Sequence, residues 1–176
     1  MIYLDSAAVV KLVHAEPESA ALRSWLDEQT EIQWISSVLT EIESFRALAR
    51  YAPEAVSRLP AVLDQIDLID LGPAIRILAQ TAKPVTVRSL DAIHLGTALH
   101  SRSGLTSFVT YDKRLLEAAR AAGLPLDSPA EPQPATPQPG QPAQATVETH
   151  LRHAFHKLGL TSRTDLPTRL PGGTDG

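Results

Sequence analysis

Four acidic side chains stand where their types and spacing can do chemistry together. Asp5 directly follows the apolar triplet Ile2-Tyr3-Leu4, and Asp112 follows the run Ser107-Phe108-Val109-Thr110 after one intervening residue. Asp91 lies two residues past Ser89, at the start of a helical pattern, and Glu43 lies in the helical stretch after Gln33-Trp34-Ile35-Ser36. Carboxylates drawn together repel and raise one another's pKa unless a cation binds them. Mg²⁺ is a hard ion that takes oxygen ligands, usually a few carboxylates with water completing the shell. That is the donor set of a metal-assisted phosphodiester hydrolase. Each acid also has a plainer reading. Asp5 and Asp112 suit helix N-caps, Asp91 complements a helix dipole, and Glu43 fits an ordinary helix surface.

Positioning these acids falls to an alternation of short apolar runs and longer amphipathic ones. Strands are predicted at 2–4, 33–36, 66–71 and 107–110, with a short edge strand at 124–126. Helices are predicted at 7–14, 18–28, 38–51, 54–65, 73–83, 90–101 (capped by Ser89) and 112–122. In the helix from Val38 to Tyr51, the residues Val38, Ile42, Phe45 and Ala49 form an apolar stripe. That stripe does not choose between Glu41 and Glu43, because neither lies opposite it. Strand–helix alternation implies an α/β fold with a parallel sheet flanked by helices, and such folds place ligands beyond the carboxyl ends of the strands. Chain order and strand polarity bring Asp5, Asp91 and Asp112 toward that edge.

Composition limits the alternatives. The 176 residues include no cysteine, which excludes disulfide frameworks, thiol catalysis and thiolate metal sites. No apolar run reaches the ~18–20 residues of a membrane span, and no signal-peptide layout is present, so a cytoplasmic protein is expected. The formal charge is −4, which argues against broad electrostatic coating of nucleic acid. The imbalance is local: residues 1–129 hold 12 Lys+Arg and 16 Asp+Glu, and residues 130–176 hold four of each. Setting the four acids aside leaves 12 against 12, so the acidity reads as a site on a balanced surface. Six of the 14 prolines fall in 128–144, among Ala, Gln, Thr and Gly, which reads as a disordered, extended linker. The chain thus divides into a body at 1–127, a linker at 128–144 and a tail at 145–176.

The body resembles the PIN-domain ribonucleases, specifically the VapC toxins of bacterial type II toxin–antitoxin modules. Four segments carry the likeness: Ile2-Tyr3-Leu4-Asp5-Ser6-Ala7-Ala8, the stretch from Ser36 to Ala47, the stretch from Arg88 to Ala98, and Phe108-Val109-Thr110-Tyr111-Asp112-Lys113-Arg114-Leu115. The likeness maps the family's acids onto Asp5, Glu43, Asp91 and Asp112, and selects Glu43 over Glu41 through Thr40 and Arg46-Ala47. Asp5-Ser6-Ala7-Ala8 stands where the family commonly has Asp-Ser-Ser-Ala, which leaves the acid in place. The resemblance implies a Mg²⁺- or Mn²⁺-dependent endoribonuclease cutting structured RNA such as tRNA or rRNA. Asp5, Asp91 and Asp112 would hold the metal, Glu43 would orient or deprotonate water, and Ser6 and Thr110 would line the site. It further implies a homodimer silenced by a VapB-type antitoxin whose tail enters the acidic cleft. Arg46, Arg50, Arg88, Lys113 and Arg114 are candidates for binding RNA phosphates. His94 and His100 read as packed or surface helix residues, and Trp25 and Trp34 as core or dimer-interface residues.

The tail resembles the second half of a LuxR-type helix-turn-helix, with Val147, Leu151, Ala154, Phe155 and Leu158 on one helical stripe. The first half is missing and Pro167 interrupts the closing helix, which argues against DNA binding by the tail. Two other functions compete with a ribonuclease. A response regulator would use Asp70 as phosphate acceptor, although the second acid it needs after Asp5 is replaced by Ser6-Ala7. A non-catalytic module would keep the fold only to bind an antitoxin.

Overall fold

The computed structural model describes residues 1–130, and the tail together with nearly all of the predicted linker lies outside them. Five parallel strands form one sheet: β1 (Ile2–Leu4), β2 (Trp34–Ser37), β3 (Ile66–Ile69), β4 (Ser107–Val109) and β5 (Leu126–Asp127), in the order β3-β2-β1-β4-β5. The helices are α1 (Ser6–Val13), α2 (Ser19–Glu28), α3 (Leu39–Tyr51), α4 (Leu59–Leu63), α5 (Pro73–Gln80), α6 (Ser89–His100) and α7 (Lys113–Ala121). Among the described residues no helix is long and apolar enough to cross a membrane.

Side-chain alternation along the short strands builds a core on each face of the sheet. Ile2 and Leu4 pack with Val9, Leu12, Leu22, Leu48 and Val109 on one face. Tyr3 joins Ile35, Leu95, Phe108 and Leu115 on the other. Tyr3 and Phe108 are register partners on β1 and β4, and their rings stack with centroids 5.0 Å apart and planes within 9°. Trp25 and Trp34 are half-buried against the first core. β1 and β4 are neighbours in register, Leu4 opposite Val109, so the residues that follow them emerge side by side at one edge.

Four local expectations are corrected. The span 54–65 is not one helix. A 3₁₀ stretch at Pro53–Arg58 leads into α4, whose start carries Pro60, a residue without the N–H a continuous helix would need there. Ser89 is the first residue of α6 rather than its cap, and that place belongs to Arg88, with no side-chain capping bond. The last strand is Leu126–Asp127, one step beyond its predicted place. The largest correction concerns α3. Ile42 and Phe45 are 58% and 51% exposed, while Thr40, Ser44 and Leu48 face inward. The apolar stripe therefore faces outward, into a groove of about 950 Å³ shared with Val56, Leu59 and Leu63. The inward face packs chiefly against α1, and at its start the Thr40 hydroxyl meets that of Ser36 on β2 at 2.6 Å.

α5 and α6 approach most closely at Gly96. A Cβ there would stand 2.9 Å from the Ala79 nitrogen and 3.0 Å from the Ile75 carbonyl oxygen, both backbone atoms that cannot swing aside. Gly96→Ala is therefore expected to destabilise the fold by about 1–3 kcal/mol, the usual range for overpacking, despite alanine's better helix propensity. Thermal melting checks this. An unchanged or raised Tm would contradict the close approach.

Candidate active site

The turn after β1 sets the first acid. Asp5 is 3% exposed, and its Oδ1 accepts from the Ala8 N–H at 2.8 Å, capping α1. Its Oδ2 accepts from the Thr110 hydroxyl at 2.5 Å, across the β1–β4 junction. Thr110 Oγ1 also accepts from the Asp112 N–H at 3.1 Å, so one hydroxyl links the loops carrying two of the acids. Thr110 is fully buried between Asp5 and the Asp112 backbone, bonded to both. Asp112 Oδ1 accepts from the N–H groups of Arg114 and Leu115, capping α7. The plainer N-cap readings of Asp5 and Asp112 are therefore correct as far as they go. Each carboxylate oxygen has two lone pairs, so capping leaves acceptor capacity unused.

Asp91 stands half-buried in the first turn of α6. Burial, and then the Asp112 charge, push its carboxyl above the ordinary value, partly offset by Arg88. Burial likewise raises Asp5, against the Thr110 and Ala8 hydrogen bonds, and Asp112 adds to the rise. Asp5 and Asp91 therefore both stand in the field of Asp112, and burial and repulsion disfavour the charged forms of Asp5 and Asp91.

Glu43 is the fourth member. Its Oε2 accepts from the Ser6 hydroxyl and lies 2.7 Å from His94 Nε2. Burial alone would raise its carboxyl, but the His94 and Ser6 hydrogen bonds outweigh that and hold it below the ordinary value. Among the described residues Oε1 has no hydrogen-bond partner, and the Glu43 side chain is 26% exposed. It borders a cleft of about 480 Å³, also lined by Ser6, Lys11, Tyr51, Tyr111 and Asp112. Lys11 in this cleft is held by Glu16 and Glu18 and stands 4.9 Å from the Tyr111 ring centroid. Burial pushes the Tyr111 phenol up to about 12, so its hydroxyl stays a donor, here to the Pro129 carbonyl at 2.8 Å. Together with the Ser128 hydroxyl bond to the Thr110 carbonyl, this ties the first residues of the expected linker to the body.

Glu41 is exposed and lines the outer groove with Ile42 and Phe45, away from the acids. Arg46 lines that same groove. Arg50 is exposed beside the Tyr51 ring, and Arg88, Lys113 and Arg114 are exposed next to Asp91 and Asp112 in the chain. His94 is packed, one of the two places expected for it, at 3% exposed, and it contacts Glu43, Ser6 and Tyr3, partners that the sequence did not point to. One signal was available. His94 lies three residues after Asp91, a spacing that puts both on one helix face.

The donor set is oxygen only, without thiolate. Among the described residues no three His, Asp or Glu side chains enclose an ion by themselves. Carboxylates that need a counter-charge but do not form a closed cage fit Mg²⁺, which keeps several waters and takes only one or two carboxylates directly.

Residues 2–121 match the family model described as PIN domain. Ribonuclease VapC35 of Mycobacterium tuberculosis is 46% identical over 133 residues, covering 74% of this chain and 98% of that protein. Ribonuclease VapC47 of the same organism is 42% identical over 132 residues, covering 73% and 97%. Among solved structures, M. tuberculosis VapC20, titled a sarcin–ricin loop cleaving toxin, superposes with a TM-score of 0.56 at 13% identity, covering 70% of this chain and 96% of that one. A toxin–antitoxin complex from Klebsiella pneumoniae gives 0.54 at 20% identity, covering 74% and 98%. A receiver domain is thereby set aside, and Asp70 is an exposed residue just past the edge strand β3. The fold, the gathered acids and these relatives lead to one assignment: the chain belongs to the PIN-domain family, among its VapC-type ribonucleases.

Proposed function

We propose that this protein is the toxin of a toxin–antitoxin pair, an endoribonuclease that uses Mg²⁺ or Mn²⁺ to cut structured RNA of the tRNA or rRNA class in the cytoplasm. The observation that carries the reading is the division of labour around Glu43. One oxygen is held by Ser6 and His94, and the other has no hydrogen-bond partner among the described residues, on a side chain that borders the cleft with Asp112. Asp5, Asp91 and Asp112 would hold the ion. When bound, it would supply a lower pKa for water and an offset for charge building on the phosphate. Glu43 Oε1 accepts a hydrogen bond from the attacking water and takes its proton. Arg88, Lys113 and Arg114 lie next to the acids in the chain and are placed to hold RNA phosphates, with Arg46 and Arg50 further along α3. Exposed Ile42 and Phe45, an apolar surface on an otherwise polar helix, support a protein partner, whether a second copy or a VapB-type antitoxin.

The test is cleavage of total RNA and of isolated tRNA and ribosomes by the purified chain, with the 5′ ends of the products mapped. Discrete products are expected with Mg²⁺ or Mn²⁺. EDTA should lower the rate by on the order of 10²-fold or more, and added metal should restore it. Cleavage that persists unchanged in EDTA would overturn the metal-dependent reading. Products spread evenly along unstructured RNA would overturn the substrate class.

A further inference from the structure

The Glu43 carboxylate is one end of a buried chain of hydrogen bonds that the four acids do not account for. His94 Nε2 lies 2.7 Å from Glu43 Oε2 and 3.2 Å from Ser6 Oγ. Its Nδ1 lies 2.7 Å from the Tyr3 hydroxyl, with the two rings edge-on and their centroids 6.0 Å apart. Tyr3 is fully buried and stacked on Phe108, so the far end of the chain is fixed by the sheet itself. A neutral imidazole has one N–H and one bare nitrogen. An ionised Glu43 offers only acceptors, which requires the N–H at Nε2. Nδ1 is then bare and accepts from the Tyr3 phenol, which keeps its proton at neutral pH. One tautomer satisfies both ends.

We propose that His94 is a positioning residue: locked as the Nε2–H tautomer by Tyr3, it holds Glu43 Oε2 in place so that Oε1 faces the cleft in one orientation. A free glutamate loses rotamer entropy when it is fixed, and a side chain already fixed does not lose it again during the reaction. Ser6 alone leaves the carboxylate free to pivot about a single bond; the second donor removes that freedom. The proposal rests on the reading of Glu43 as the group that handles water.

Tyr3→Phe removes one hydroxyl and keeps the ring stack. It is expected to lower kcat about 3–10-fold, the size of one hydrogen bond, with KM for RNA nearly unchanged and Tm lowered by a few degrees because buried Nδ1 loses its partner. In a Glu43→Gln background the same change should cost nothing further, because the chain acts only through that carboxylate. An equal loss in both backgrounds, a loss expressed in KM, or no loss in the wild-type background would overturn the proposal. His94→Gln, which still presents a donor near the Nε2 position, should retain more turnover than His94→Leu. Equal losses from the two would mark a packing role. A second readout does not depend on activity. The ¹⁵N shifts of the His94 ring should show the Nε2–H tautomer in the full chain and a weakened tautomer preference in Tyr3→Phe. Unchanged shifts overturn the lock. Wild-type turnover in Glu43→Gln would overturn the reading of Glu43 itself, an outcome separable from failure of the lock.

Discussion

Asp91→Asn is expected to abolish RNA cleavage to within about 10⁻³ of the wild-type rate while making the metal-free protein more stable. The loss follows from removing a carboxylate from the proposed ion site, where several kcal/mol of charge stabilisation are at stake and each 1.36 kcal/mol is tenfold in rate. The gain follows from relief of burial and of repulsion from Asp112, which raise the Asp91 carboxyl in the folded chain. The sign is fixed by proton linkage. A carboxyl raised on folding makes the folded state bind more protons than the unfolded one above the ordinary value of 3.8, so wild-type stability falls as pH rises through the folded pKa. Melting in EDTA should show Asp91→Asn ahead of wild type by a few degrees near pH 7, with the difference shrinking toward pH 4. Adding Mg²⁺ or Mn²⁺ should stabilise wild type more than the variant, since a ligand that binds only the folded state raises its stability. A variant less stable than wild type in EDTA would count against a strained acidic cluster. Retained cleavage would remove Asp91 from the site.

Glu43→Gln should lower kcat by about 10²–10⁴-fold, the usual share of a positioned general base. The amide matches the carboxylate in shape and its oxygen still accepts from Ser6 and His94. The atom turned to the cleft becomes an NH₂ group, which cannot take a proton. KM for RNA and the stabilisation by divalent ion should stay near wild type, because Glu43 is assigned to water rather than to the ion. Glu41→Gln is the matched control. Glu41 is exposed in the outer groove, so its rate should stay within about twofold. A large loss there, or a KM defect in Glu43→Gln, would reassign the two residues.

The strands were legible because short apolar runs bounded by polar residues leave few alternatives, and Asp5 and Asp112 were legible because they follow two of those strands. The face of α3 was misread for a physical reason. Periodicity reports which residues are apolar, not which way the helix is turned, and here Thr40, Ser44 and Leu48 take the interior while Ile42 and Phe45 stay outside. The stripe that seemed to locate the core was therefore no guide to Glu43, which only the pattern around Thr40 and Arg46-Ala47 singled out. His94 was passed over because a lone histidine among Ala, Ile, Leu and Gly looks like a core residue. Its partners lie 51 and 91 positions away and meet it only once the sheet is assembled. The two readings of Asp5 and Asp112 could not be separated because the same carboxylates cap helices and face one another.

The bond between Thr110 and Asp5 spans 105 positions of chain. β1 is the first strand to leave the ribosome, and β4, its partner in the middle of the sheet, is nearly the last. A nascent chain can close the α1 turn early, but Asp5 gains its second anchor, and Asp112 its place, only after residue 110 has emerged and paired. Contacts this distant in sequence form late. A chain broken off before β4 carries Asp5, Glu43 and Asp91 but lacks Thr110 and Asp112, so its Asp5 keeps only the anchor at the start of α1.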